Sequence, residues 1–148
     1  MIAIREMTKE DIEGVLEVER DSFSTPWTEQ LFYDEVNNPH TVYYICTVGE
    51  EIIGYAGMWH VLDEGQITNI AVKSRFRKMG VGSMLLKELI NRAEKDGISV
   101  MGLEVRESNQ GALSLYQKFG FKPVGNRKNY YKNPTENAVL MDLELKNG

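Results

Sequence analysis

A short basic segment that leads into two closely spaced glycines has the clearest chemical potential in this sequence. Residues 75–86 read RFRKMGVGSMLL, with Arg77 and Lys78 before Gly80 and Gly82, in a chain of net charge −5. The first amides of a helix lack partners within the helix, and glycine lets a ligand approach the backbone closely. The sequence therefore predicts an anion site at a helix start, for which phosphate is the natural ligand.

Two familiar nucleotide motifs do not match this segment. No Gly-Lys-Ser or Gly-Lys-Thr is preceded by a glycine with four residues between, as a Walker loop requires. Position 85 is Leu85, where a dinucleotide fingerprint has its third glycine. Two alternatives remain, namely a phosphate cradle of another kind and a basic turn that only caps a helix.

A single glutamate stands in a stretch that reads as an interior strand. Glu104 lies in ISVMGLEV, residues 98–105, between the apolar residues Leu103 and Val105. An unpaired carboxylate in such a place is costly, and one explanation of its presence is a general base that takes a proton from a reacting group. The alternative is a strand-end glutamate that pairs with Arg106 or a lysine and has no chemical role.

Several motifs together resemble one enzyme family. Residues 77–82 (RKMGVG) resemble the R/Q-x-x-G-x-G/A pyrophosphate signature of the GCN5-related N-acetyltransferase (GNAT) superfamily. Residues 112–121 (ALSLYQKFGF), preceded by Asn109, are similar to its A-x-x-x-Y-x-x-x-G-F motif. Residues 103–106 (LEVR) and 127–131 (RKNYY) are similar to the bacterial ribosomal-protein alanine N-acetyltransferases, the RimI group. This resemblance covers nearly the whole chain.

The resemblance implies a fold, a cosubstrate and a reaction. It implies the GNAT fold, with a central, mostly antiparallel sheet, one parallel splayed strand pair and helices on both faces. It implies acetyl-coenzyme A as acetyl donor and a protein N-terminus as acceptor, with alanine of a small-subunit ribosomal protein as its first residue. The implied acetyl-coenzyme A contacts are Ile70, Ala71, Val72, Arg77, Lys78, Met79, Gly80, Val81, Gly82, Ser83 and Asn109.

The resemblance also implies roles for individual side chains. Tyr116 would donate a proton to the coenzyme A sulfur, and Glu104 matches the family's general base. The peptide would enter between the loop that joins the first two helices and the loop that joins the last two strands. Trp27, Tyr130 and Tyr131 are therefore expected to bind the acceptor. Alternatively, the tyrosine pair only anchors its own hairpin.

Two other functions stay open at this point. The first keeps the fold but acetylates a small-molecule amine, such as a polyamine or an aminoglycoside. The second is a non-catalytic sensor that binds acyl-coenzyme A and acts through a partner. The presence of both Glu104 and Tyr116 favours an enzyme over a sensor.

Composition excludes several classes of protein. A length of 148 residues predicts one domain, 1–148, and a pI near 5.1 argues against broad nucleic-acid binding. The single Cys46 excludes an intrachain disulfide and a zinc site of several cysteines, which favours the reducing cytoplasm. His40 and His60 are isolated, so no metal site is expected. No signal peptide or membrane-spanning run is recognised, so we expect neither export nor membrane insertion.

Hydrophobic periodicity and turn residues predict the element order βααβββαβαββ, a mixed α/β fold. Thr28 is expected to cap the second helix, after a loop over residues 23–28. The longest helix is predicted over residues 81–93, with Gly97 as its C-terminal cap. A polar and aromatic loop is predicted over residues 127–134, between the last two strands.

Overall fold

The computed structural model describes residues 1–23 and 26–145. Residues 24 and 25, which belong to the predicted 23–28 loop, and residues 146–148 lie outside this description. The helices and strands of the described residues are β1 (Ile2–Glu6), α1 (Ile12–Ser22), α2 (Glu29–Val36), β2 (Thr41–Val48), β3 (Glu51–Val61), β4 (Glu64–Val72), α3 (Val81–Lys95), β5 (Val100–Arg106), α4 (Gln110–Lys118), β6 (Lys122–Tyr131) and β7 (Glu136–Glu144). The predicted order of elements is therefore confirmed.

The strands form a mostly antiparallel sheet with one parallel pair. Hydrogen-bonded neighbours follow the order β1-β2-β3-β4-β5-β7-β6. β4 and β5 are parallel, and their register runs from Glu64 opposite Val100 to Gln66 opposite Gly102. β1 with β2, β2 with β3, β5 with β7 and β6 with β7 are antiparallel. This arrangement confirms the predicted fold class, and the parallel ladder ends early in both of its strands.

The chain divides into two compact units. The first unit comprises Met1–Trp59 and Thr68–Arg92, and the second comprises His60–Ile67 and Ala93–Gly148. The start of β4 therefore belongs to the second unit and its end to the first. The single domain expected from chain length stays a prediction.

Helices cover both faces of the strands in the first unit. Phe32 of α2 packs edge-on against Tyr55 of β3, with ring centroids 5.5 Å apart. A Cβ added at Gly54 would instead lie 3.2 Å from the side chains of Val81 and Leu85 of α3. Because neighbouring residues of a strand point to opposite faces, α2 and α3 lie on opposite sides of β3.

Local capping explains where the functional helices begin. The Thr28 hydroxyl accepts the Leu31 amide at 3.2 Å, so the predicted cap of α2 is confirmed. In the second unit the Asn109 side chain accepts the Ala112 amide at 3.1 Å and caps α4. Gly97 follows α3 with a φ of 76°, a value that favours glycine.

The predicted loop over residues 127–134 is wrong in its first part. β6 continues to Tyr131, and only residues 132–135 form a turn. β6 is exposed along most of its length, and its register with β7 shifts between Arg127 and Tyr131. An exposed edge strand carries no apolar alternation, so its polar residues resemble a loop in the sequence.

No helix among the residues described here is long and apolar enough to cross a membrane.

The close approach of Tyr43 to Gly57 gives a stability prediction. A Cβ at Gly57 would lie 2.0 Å from a carbon of the Tyr43 ring, which is itself buried. We expect Gly57→Ala to lower the free energy of unfolding by about 1–3 kcal/mol, because the ring must be displaced from a packed core. Urea unfolding followed by circular dichroism measures this change.

Gly111 provides the matched control for this substitution. It lies in the first turn of α4, and the nearest atom to an added Cβ is 3.9 Å away. Gly111→Ala should leave stability unchanged or raise it by up to about 1 kcal/mol, because alanine is the better helix former. Equal unfolding midpoints for Gly57→Ala and the wild type would contradict the packing argument.

Candidate active site

Glu104 lies in β5 opposite Leu140 of β7, and its neighbours Leu103 and Val105 are buried. Its Oε2 atom is buried without a hydrogen-bond partner, and it is the one such side-chain nitrogen or oxygen in residues 1–23 and 26–145. A buried carboxylate oxygen without a partner costs stability, whereas nearly all buried polar atoms in proteins are paired. This geometry suits a group that accepts a proton from a substrate.

Arg106 does not neutralise Glu104, so the alternative in which this glutamate only pairs with Arg106 is not supported. Its guanidinium donates to the carbonyl oxygens of Pro134 at 2.9 Å and Lys132 at 2.7 Å, and it pairs with Glu136 at 3.2 Å. The same group lies over the Tyr131 ring, 4.6 Å from its centroid. Arg106 therefore fixes the turn that follows Tyr131.

Glu136 holds the other side of this turn. It accepts the Ser108 backbone amide at 2.6 Å through the oxygen that does not face Arg106. Its hydrogen bonds to Ser108, followed by those to Arg106, keep the pKa of the carboxyl below its ordinary value. Sequence reasoning missed Arg106 and Glu136 as the residues that hold this turn in place. The groups that Arg106 contacts, including Glu136, lie 26 to 30 positions from it along the chain.

The two neighbouring tyrosines of β6 have different surroundings. Their rings meet edge to face with centroids 5.0 Å apart. The Tyr130 hydroxyl interacts with the Glu104 carboxylate, and this hydrogen bond is the main reason that the pKa of Tyr130 is raised. Burial, followed by the Glu104 charge, raises the pKa of Tyr131 to about 12. Arg106 thus anchors Tyr131, while Tyr130 is 45% exposed and faces Glu104.

Tyr116 is the most deeply buried of the predicted site tyrosines. It projects from α4, is 8% exposed and packs edge-on against Phe121 at 5.7 Å between centroids. Burial, with a smaller contribution from Tyr131, raises the pKa of its phenol above the ordinary value near 10. It is therefore protonated at neutral pH and a weaker acid than a free phenol.

The predicted anion cradle has the backbone geometry that such a site requires. Lys78 and Gly80 have φ angles of 65° and 82°, and Gly80 is exposed with open space where a Cβ would lie. α3 begins at the next residue, Val81, and its first turn carries no acidic side chain. The amides of Val81, Gly82 and Ser83 open a fifteen-residue helix, so its dipole favours an anion there.

The basic side chains near this cradle are held by neighbours. Arg77 donates from Nε to the Val72 carbonyl at 3.0 Å, and its guanidinium lies 3.5 Å from the Ser22 hydroxyl and 3.9 Å from Asp21. Arg75 pairs with Glu51. Met79 is 57% exposed and leaves the cradle open on that side.

The strand that precedes the cradle is irregular. Thr68 bonds the Tyr43 hydroxyl at 3.0 Å, and the next residue, Asn69, donates to the Tyr55 hydroxyl at 3.0 Å. Consecutive residues of a regular strand point to opposite faces, so two such bonds to one layer of tyrosines require a distortion of β4. Ile70, Ala71 and Val72, the predicted contact strand, follow directly.

On the acceptor side of the prediction, Trp27 is half-buried beside Phe32, with ring centroids 5.1 Å apart. Its backbone N–H donates to Oε2 of Glu19 at 2.9 Å. Glu19 is 1% exposed and was missed by sequence reasoning. Its one signal was a carboxylate at helical spacing from the buried Val15 and Leu16.

The structure groups the predicted residues in two sets, one in each unit. The second unit brings together Glu104, Tyr130 and Tyr131, with Tyr116 near enough to Tyr131 for its pKa to respond. Asn109 is exposed, and its oxygen caps α4. The first unit contains Trp27 and the strand and cradle of residues 70–83. In the described ranges no three His, Cys, Asp or Glu side chains are grouped as metal ligands would be.

Comparison with known proteins decides the family. The sequence model of the acetyltransferase (GNAT) family matches residues 12–121. The chain belongs to the acetyltransferase (GNAT) family. This membership confirms the prediction of an acyltransferase, with acetyl-coenzyme A as its acetyl donor.

Individual relatives of this GNAT chain lie in the group that the sequence resembles. It is 41% identical over 140 residues to a Bacillus subtilis protein provisionally named a ribosomal protein bS18-alanine N-acetyltransferase, with 94% of this chain and 93% of that protein covered. It is 32% identical over 147 residues to the Salmonella typhimurium enzyme of that name, with 98% and 99% covered.

A solved structure agrees with these relatives. The crystal structure of the ribosomal-protein-S18-alanine N-acetyltransferase from Escherichia coli has a TM-score of 0.91 and 32% sequence identity, and the match covers 97% of this chain and 94% of that one. These similarities confirm the predicted resemblance to the RimI group.

The Glu104–Tyr130 interaction predicts a shift in a tyrosine titration. Removing the carboxylate charge in Glu104→Gln should lower the pKa of Tyr130, because the hydrogen bond and charge of Glu104 raise it while Arg127 lowers it. Carbon-13 NMR of ζ-labelled tyrosine, with the Tyr130 signal assigned through Tyr130→Phe, measures the midpoint. Glu107→Gln, which removes an exposed carboxylate two residues after Val105, is the control and should not change it. An unchanged Tyr130 midpoint in Glu104→Gln would rule out the interaction.

Proposed function

We propose that this protein is an Nα-acetyltransferase that transfers an acetyl group from acetyl-coenzyme A to the N-terminal alanine of a small-subunit ribosomal protein in the cytoplasm. The names of the bS18-alanine N-acetyltransferases that it resembles support this substrate. The observation that carries the catalytic part is the buried, unpartnered Oε2 of Glu104 beside the Tyr130 hydroxyl.

An α-amine suits this site better than a lysine does. An α-amine titrates near 8, so roughly a tenth of it is neutral at pH 7, whereas a lysine amine near 10.4 is neutral in only about one molecule in 2,500. The extra cost of deprotonating lysine is therefore on the order of 3 kcal/mol. A carboxylate is a weak base, so a single glutamate is adequate for an α-amine and poor for lysine.

The proposed reaction starts at Glu104, which takes a proton from the acceptor α-amine directly or through water. The nitrogen lone pair attacks the thioester carbonyl carbon, and the carbonyl oxygen becomes an oxyanion that backbone amides near Ile70 to Val72 stabilise. The carbon–sulfur bond then breaks, the new amide remains on the peptide, and Tyr116 gives its proton to the departing thiolate. The acceptor enters as its ammonium form, so the nitrogen that attacks still carries one proton too many for an amide. That proton passes to the Tyr116 phenolate, and Glu104 releases its own proton to solvent, so both side chains return to their starting state and one proton is set free in each turnover.

The high pKa of the Tyr116 phenol limits when it can act. A phenol with a raised pKa does not release its proton to a neutral thioester sulfur, so the transfer belongs to the moment at which negative charge develops on sulfur. Burial of Tyr116 thereby keeps the proton available at neutral pH and ties its release to bond cleavage.

Binding of the acetyl donor is proposed for the cradle and its flanks. The amides of Val81, Gly82 and Ser83, with Gly80 and the side chains of Arg77 and Lys78, would hold the diphosphate; Met79 would border it. The side-chain NH₂ of Asn109 would bond the pantetheine arm, because its oxygen already caps α4. Arg77 would exchange its contacts with Asp21 and Ser22 for the phosphate charge.

Acceptor binding is proposed for Trp27, Tyr130 and Tyr131, with different contributions. Tyr130 is exposed and interacts with the Glu104 carboxylate, so it would contact the peptide. Tyr131 is held by Arg106 and would act mainly by orienting Tyr130.

A substrate panel tests the proposed acceptor. An alanine-starting peptide with the N-terminal sequence of ribosomal protein bS18, the same peptide with a blocked N-terminus, spermidine and an aminoglycoside are compared by release of free coenzyme A thiol. We expect turnover only with the free alanine peptide, and mass spectrometry should place the acetyl group on its α-amine. Turnover of an amine but not of the peptide supports the small-molecule function, and tight acetyl-coenzyme A binding without any turnover supports a sensor.

The role of Tyr116 gives a kinetic prediction. Tyr116→Phe should lower kcat by about 100-fold or more, the usual contribution of a general acid, and leave the Kd of acetyl-coenzyme A within threefold of wild type. Steady-state thiol release and titration calorimetry measure the two constants. Tyr33→Phe, which changes a 45% exposed tyrosine of α2, is the control and should match the wild type. Equal losses of kcat and of acetyl-coenzyme A affinity in Tyr116→Phe would remove the proposed acid role.

A further inference from the structure

Glu19 of α1 is a fully enclosed carboxylate with both oxygens in use. It is 1% exposed, and its Oε2 accepts the Trp27 backbone N–H at 2.9 Å. Its Oε1 accepts the hydroxyl of Tyr55, which in turn accepts the Asn69 side-chain amide at 3.0 Å. One carboxylate thus joins the α1–α2 connection, through Tyr55, to β4 at the residue before the predicted contact residues.

A second carboxylate of the first unit, Glu35, is joined to a tyrosine in the same way as Glu19. Among the described residues it accepts no hydrogen bond from the backbone of the α1–α2 connection. Glu35 of α2 accepts the Tyr43 hydroxyl at 2.7 Å, and that hydroxyl lies 3.0 Å from the Thr68 hydroxyl. The rings of Tyr43 and Tyr55 are stacked with centroids 6.5 Å apart, so the two carboxylate–tyrosine–strand chains run side by side. The Glu35 chain already fixes α2 to β4. The bond from Glu19 to the Trp27 amide is therefore not needed to attach the helices to the strands.

Trp27 lies where the connection returns to α2. Its backbone N–H donates to Glu19. Thr28, the next residue, caps α2, which begins at Glu29. The Trp27 ring packs against the core beside Phe32, but the residue remains half-buried. The bond to Glu19 ties the backbone of this residue to α1, whereas the ring packing acts on its side chain.

We propose that Glu19 is a positioning residue for the acceptor peptide, acting through the Trp27 backbone. This proposal rests on the proposed function, in which Trp27 contributes to the peptide site. Glu19 does not touch substrate. It holds the Trp27 segment in the conformation that receives the acceptor, and its loss weakens peptide binding without impairing the chemical step or donor binding.

Two substitutions of Glu19 by side chains of similar length distinguish the effect of accepting a hydrogen bond from the effect of filling the buried space. In Glu19→Gln the amide oxygen can accept the Trp27 N–H while the NH₂ group donates to the Tyr55 oxygen. In Glu19→Met the side chain fills the same buried space but offers only a weak acceptor. Glu13→Met, the same change at an exposed position of α1, controls for loss of charge from the helix.

The experiment measures kcat and KM for the alanine peptide at saturating acetyl-coenzyme A, the Kd of acetyl-coenzyme A, and hydrogen exchange of the Trp27 amide. For Glu19→Met we expect a tenfold or greater rise in both KM and exchange rate, with kcat and Kd within threefold of wild type. Glu19→Gln and Glu13→Met should remain within threefold in every quantity. If Glu19→Met does not fold, Glu19→Asp, which is one methylene too short to hold both partners, takes its place with the same expected rise.

The outcomes distinguish this inference from the function on which it rests. Wild-type protein without activity on the peptide contradicts the proposed function, and the acceptor role of Glu19 falls with it. Active wild type with an unchanged KM in Glu19→Met overturns the positioning role alone. A parallel loss of peptide and acetyl-coenzyme A binding, or a Glu19→Gln variant as impaired as Glu19→Met, also overturns it.

Discussion

A buried carboxylate oxygen that no hydrogen bond satisfies is the constraint on which the proposed active site depends. Oε2 of Glu104 sits in the middle of β5, between buried apolar neighbours, at a cost of on the order of 1–3 kcal/mol or more for an unpaired charged group. Folding tolerates this cost because β5 is held by a seven-pair register with β7, from Val100 opposite Glu144 to Arg106 opposite Ala138. The strand pairing therefore fixes a group that would otherwise turn toward water.

The cation that lies closest to Glu104 along β5 does not neutralise it. Arg106, two residues along the same face of β5, is occupied by Glu136 and by the carbonyl oxygens of the following turn. Its cation covers the Tyr131 ring rather than the glutamate. Glu19 shows the contrasting solution in the first unit, since it is at least as deeply buried but both of its oxygens are hydrogen-bonded. The two carboxylates thus differ in their hydrogen bonding, and only Glu104 has a buried oxygen without a partner among the described residues.

Local rules accounted for much of the fold and for the identity of several site residues. Apolar spacing and the caps at Thr28 and Gly97 defined α2 and α3, and the apolar neighbours of Glu104 predicted an interior carboxylate, of which the structure buries the Oε2 atom. Four features needed tertiary information. Glu19 is satisfied by Tyr55, 36 positions away, and Arg106 by residues 26 to 30 positions away. β6 was partly mistaken for a loop because an exposed edge strand has no apolar periodicity, and the raised pKa of Tyr116 follows from burial that its helix pattern does not reveal.

The proposed function requires that Oε2 of Glu104 be kept without a partner for catalysis, at the expense of stability. The most direct measurement compares the free energy of unfolding and the peptide acetylation rate of Glu104→Met with those of the wild type. A methionine fills the same space without a charge that needs a partner, so the account predicts equal or greater stability together with loss of acetylation. A variant that is clearly less stable than the wild type, or one that keeps its acetylation rate, would contradict the account.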